Sequence, residues 1–134
     1  MVDPLAGRRA EQARLLGLAR EYVERAGRRM PLVAAAVVGS VARGDFNVWS
    51  DVDVVLVAEG LAEHAVERQG SLLEGAPPGV QPVGFTPPEF RAALAKGNPL
   101  AVEAVERGVP LVGERFFVEC GALLSGRAGR SPRS

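Results

Sequence analysis

Residues 37–57 read VVGSVARGDFNVWSDVDVVLV, and the organisation of the chain turns on them. One apolar run stops at Gly39-Ser40. Ten residues later a second opens with Asp51-Val52-Asp53. Acids one residue apart on a strand leave the same face, so the two carboxylates would sit side by side. They repel each other, and burial would push each toward its protonated form. Open water or a cation between them relieves that cost. The following VDVVLV is too apolar for water to be the whole account.

Working outward, Leu32–Val38 is a short apolar run between Pro31 and Gly39, as expected of a strand buried on both faces. Before it, Leu15, Leu18, Ala19, Tyr22, Val23 and Ala26 recur at helical steps, predicting a helix over 5–27. Asp3 is its expected N-cap, Pro4 its first residue and Gly27 its stop. After the second strand (52–57), residues 60–74 read as a helix with Leu61, Ala65, Leu72 and Leu73 inward. VQPVGF (80–85) reads as a third strand, which Pro82 should place at an edge or give a bulge. Thr86 and Glu89 have capping-box spacing for the next helix. A short helix in GNPLAVEAVERG, a small strand in VPLVG and a last helix in ERFFVECGALL complete the order. The fold class is α/β (α+β): a small mixed sheet flanked by helices, with residues 1–126 as one domain and 127–134 as a disordered tail. The loop after the first strand has room only for a short helix, so the first two strands need not be parallel.

Zero formal net charge provides no global field for nucleic acid. The N-terminal arginines alternate with Glu11, Glu21 and Glu24, as a solvated helix face does. The single Cys120 excludes an internal disulfide or thiolate cluster, and reads as a buried apolar residue. No apolar stretch approaches the roughly 18 residues of a membrane span, and the cytoplasm is the expected compartment. His64 reads as a surface residue, Phe116 and Phe117 as core or interface. Trp49 reads as a loop anchor, with base stacking the alternative.

The chemistry gathers at the opening stretch. Mg²⁺ takes one or two carboxylates plus substrate phosphates, which suits Asp51 and Asp53. Gly39 and Ser40 offer backbone N–H groups and a hydroxyl for phosphate oxygens. Arg43 offers a fork of further donors. Taken singly, each element could be a turn or a strand cap. Together they point to a metal-bridged nucleoside triphosphate and displacement at phosphorus.

GSVARGDFNVWSDVD, with Gly-Ser, ten residues and Asp-x-Asp, resembles the signature of the nucleotidyltransferase superfamily related to DNA polymerase beta. Residues 32–114, including the run from Thr86 to Glu114, are similar to its minimal bacterial and archaeal members. The resemblance implies that Gly39 and Ser40 hold the triphosphate, that Asp51 and Asp53 ligate Mg²⁺ or Mn²⁺, and that Arg43 touches phosphate. Ser50 would cap the strand start. It implies transfer of a nucleoside monophosphate, AMP from ATP, to a hydroxyl. Such small members commonly pair with a helical HEPN-type protein, in some cases as the antitoxin that adenylylates it; a second copy of the chain is the other expected partner. One departure stands out. Where the family's active members carry a third acid on the next core strand, this sequence has Gln81, which can neither carry charge nor usefully accept a proton. Glu74 and Glu89, the nearest acids in sequence, fit surface or capping roles. A catalytically weakened homologue that binds nucleotide or a partner is therefore the alternative expectation. A small-molecule transferase, acting for example on an aminoglycoside, is a third; the absence of a substrate domain weighs against it.

Overall fold

The computed structural model describes residues 4–47 and 50–129. The elements are α1 (Pro4–Arg29), β1 (Leu32–Val38), α2 (Gly39–Arg43), β2 (Val52–Ala58), α3 (Ala65–Leu73), β3 (Val80–Phe85), α4 (Pro87–Ala95), α5 (Pro99–Glu106), β4 (Val109–Val112) and α6 (Glu114–Gly129). The strands form one mixed sheet in the order β3-β2-β1-β4. β1 is antiparallel to β2 and β4, and β2 is parallel to β3. Pro82 thus lies on an edge strand, where a missing N–H is tolerated.

Alternation along the two central strands divides the core. Ala35, Val37, Val54 and Leu56 join Leu15, Ala19, Tyr22 and Val23 of α1 and Leu72 of α3 on one face. Ala34, Ala36, Val38, Val55 and Val57 meet Phe90 of α4, Ala101 and Ala104 of α5, and Phe117 and Cys120 of α6 on the other. Residues 34–38 are all fully buried, which explains an unbroken apolar run where a half-exposed strand would alternate. Phe90 anchors the second face, with Phe85, Phe116 and Phe117 ring centroids 5.6–5.7 Å away.

Several boundaries depart from the sequence reading. Gly27 does not stop α1, which runs to Arg29; Pro31 ends it by disfavouring helical backbone at Met30. α3 begins at Ala65, because Gly60 adopts a left-handed turn (φ +73°) after β2 and Arg68 Nε donates to the Ala62 carbonyl at 2.6 Å. Ala65 and Leu73 are accordingly exposed, while Leu72 is buried. α6 extends to Gly129, so residues 127–129 continue a helix. The readings on Asp3, Trp49 and residues 130–134 lie outside the described residues. The Thr86–Glu89 capping box forms in both directions, and Cys120 is buried.

Candidate nucleotide site

β1 and β2 bring the two halves of the opening motif together. Val38, last in β1, pairs with Asp53, so Gly39 turns away directly beside the Asp53 side chain. Gly39 has φ +78°, and a Cβ there would lie 2.6 Å from Asp53 Oδ2. The backbone conformation and the carboxylate's approach both demand glycine. Asp53 shares the parity of Val55 and Val57, placing it on the sheet face covered by α4, α5 and α6. β2 starts at Val52, so Asp51 lies one residue before the strand and is exposed.

The Asp53 carboxyl is held above its usual range. Partial burial is the main cause, followed by the negative charges of Asp51 and Glu103; Arg43 opposes them. A carboxylate strained in this way gains from a bound cation. Among the described residues, however, no group of three or more His, Cys, Asp or Glu side chains could hold a metal by itself. Asp51 and Asp53 offer two carboxylates, a number that suits Mg²⁺ where substrate phosphates supply further ligands.

The residue that the resemblance sets in place of a third acid lies on the neighbouring strand. Gln81 pairs with Asp53 in the β2–β3 register, on the adjacent strand and the same face. An exposed amide stands beside the partly buried end of the motif. Neither neighbouring acid replaces it: Glu74 lies 3.8 Å from Arg29, and Glu89 is committed to the Thr86 N–H and to Arg68.

Ser40 stands second in α2, its carbonyl accepting from Gly44 N and Asp45 N at 2.8 and 3.1 Å. The Ser50 hydroxyl does not cap β2. It turns back to accept from Asn47 N at 2.9 Å, closing the loop locally. Arg43 donates from Nη1 to Glu103 Oε1 at 2.5 Å and from Nε to Asp45 Oδ2 at 3.2 Å. Glu103 is a residue that sequence reasoning missed. It comes from α5, 60 positions from Arg43, and a pairing at that range leaves no trace in local spacing. Arg8 and Gln12 were missed as well. Arg8 was read with the solvated arginines, yet both pin the loop: Arg8 Nη1 donates to Gly44 O and Phe46 O, and Gln12 Nε2 to Val41 O at 2.7 Å. The Arg8 guanidinium also covers the Phe46 ring, 5.1 Å from its centroid.

This mixed sheet, with a tight glycine set against the second acid of Asp-x-Asp, is the fold of a nucleotidyltransferase-family chain. The chain belongs to that family: residues 19–104, well over half its length, match the nucleotidyltransferase domain. A Sulfolobus solfataricus protein, provisionally assigned as a nucleotidyltransferase, superimposes with a TM-score of 0.58 at 24% identity, over 77% of this chain and 84% of that one. A toxin–antitoxin structure with AMP-PNP matches with a TM-score of 0.55 at 20% identity, over 83% of this chain and 91% of that one. No curated protein gives a significant sequence match. Among the described residues, no helix is long and apolar enough to cross a membrane.

Proposed function

We propose that this chain binds ATP with a divalent ion at the corner formed by Gly39, Ser40 and Asp53, and transfers AMP to a hydroxyl of a protein partner in the cytoplasm. The observation that carries this reading is the Gly39–Asp53 approach, which leaves space at the end of β1 only for a residue without a side chain. Gly39 and Ser40 would meet the phosphates; Asp51 and Asp53 would hold Mg²⁺ or Mn²⁺. When bound, the ion would neutralise charge on the phosphoryl oxygens. In the transfer the acceptor oxygen bonds to the α-phosphorus, the bond to the pyrophosphate oxygen breaks, and the hydroxyl proton passes to solvent.

In this reading the acceptor surface comes from a partner. The similar toxin–antitoxin structure supports a two-component arrangement. A helical HEPN-type protein or a second copy of this chain would be the other half. A second reading rests on Gln81. With an amide in register beside Asp53, the site lacks a third carboxylate and an evident base, favouring nucleotide or partner binding with weak transfer.

Intact-mass measurement separates the two. The chain is incubated with ATP, Mg²⁺ and the product of a neighbouring helical-protein gene. Adenylyl adducts on the partner, lost with Asp51→Asn, support transfer. Nucleotide binding without adducts, with adducts appearing on Gln81→Glu, supports the second reading.

A further inference from the structure

The Arg43 guanidinium is held from two sides by acids that do not belong to the Gly-Ser and Asp-x-Asp motif. Asp45 follows it on the loop and is well exposed, but Glu103 is only 18% exposed. Glu103 is also rigidly presented. α5 is N-capped by Asn98, whose side chain accepts from Leu100 N and Ala101 N, and Ala101 and Ala104 are buried against the sheet on either side of it. Arg43 ends a five-residue helix and is 40% exposed, so of the pair the arginine has the room to turn toward solvent.

A poorly solvated carboxylate depends on its counter-charge more than an exposed one does. Phosphate oxygens seek the same planar fork of donors. Glu103 and a triphosphate therefore compete for one guanidinium, in a corner that already carries Asp51 and Asp53. We propose that Glu103 is a positioning residue that restrains Arg43 in the nucleotide-free protein, so that a triphosphate binds by drawing Arg43 away from Glu103. Glu103 then sets the affinity threshold of the site. This rests on the nucleotide-binding reading above.

The test is calorimetric titration of ATP with Mg²⁺ into the full chain as wild type, Glu103→Gln, Arg43→Gln and the double variant, with thermal melting of each nucleotide-free protein. Glu103→Gln keeps the size and removes the charge. It should bind ATP roughly threefold to tenfold more tightly, as loss of a charge-assisted competitor allows, while melting at a lower temperature. In the Arg43→Gln background the gain should fall below about twofold, because the coupling passes through the arginine. Glu103→Asp, which keeps the charge on a shorter arm, should also bind more tightly if Glu103→Gln does not fold. A role in stability alone would lower melting without raising affinity, and that result would overturn the proposal. So would an equal gain with and without Arg43, which would reduce Glu103 to a background charge. Binding by no variant, wild type included, would overturn the nucleotide site itself and this proposal with it.

Discussion

Gly39→Ala is the substitution whose outcome the structure constrains most. Alanine at φ +78° carries the left-handed backbone penalty, about 1–2 kcal/mol for an L-residue. Its Cβ would also lie 2.6 Å from Asp53 Oδ2, which no real contact sustains, so the carboxylate must swing away. Leaving a rotamer well adds about 0.5–1.5 kcal/mol. Gly60 supplies the control: its φ is +73°, but nothing lies within 4 Å of the added Cβ. Gly60→Ala should therefore cost only the backbone penalty and leave nucleotide binding intact. Gly39→Ala should cost about 1 kcal/mol more than Gly60→Ala and weaken Mg²⁺–ATP binding by about tenfold or more, since a tenfold change corresponds to about 1.4 kcal/mol. Urea denaturation measures the first and calorimetry the second. Equal destabilisation by the two alanines, with ATP binding unchanged in both, would refute the claim that Gly39 is glycine for the sake of Asp53.

Three further outcomes follow from side chains whose surroundings are defined. Asp53 is held above its usual 3.8, so the folded state binds its proton more tightly than the unfolded state does, and stability is lost as pH rises through the folded value. Asp53→Asn should then raise the neutral-pH melting temperature of the nucleotide-free protein, with the gain shrinking below pH ~4; a lower melting temperature would contradict this. Glu89 is held down at about 2 from its usual 4.5 by Arg68 and the Thr86 N–H, so its contribution is present above 4.5 and lost as pH falls through about 2. In acid melts Glu89→Gln should lack the loss that wild type shows over that window. Tyr22, buried and pushed up to about 12, donates to the Leu72 carbonyl at 2.5 Å and ties α1 to the end of α3. Tyr22→Phe should cost about 1–3 kcal/mol in denaturation, the penalty of an orphaned buried acceptor.

The element order was legible because two periods dominate this chain. Unbroken apolar runs mark β1 and β2, three- and four-residue steps mark α1, and the Thr86–Glu89 spacing marks α4. The Gly-Ser and Asp-x-Asp halves were legible for the same reason: each ends or begins an apolar strand, and antiparallel pairing of neighbours then brings Gly39 to Asp53. Gln81 was singled out by resemblance, through the TPPEF that follows it, and the β2–β3 register sets it opposite Asp53. What was not legible depends on contacts between distant segments. Arg8 was grouped with the solvated arginines and Gln12 drew no reading, because nothing in α1 announces that loop carbonyls lie across from them. Glu103 drew no reading from the sequence, because its partner is fixed only when α5 packs on the sheet. Gly27 misled for a local reason: helix propensity costs at one glycine are about 1 kcal/mol, and packing of Ala26 and Val23 outweighs them until Pro31.

Calorimetric titration of ATP with Mg²⁺ into the purified chain, beside Asp53→Asn and Gln81→Glu, tests the central claim most directly. The account predicts metal-dependent binding by wild type, its loss with Asp53→Asn, and tighter binding with Gln81→Glu as a third carboxylate joins the corner. Binding that needs no metal and survives Asp53→Asn would contradict it.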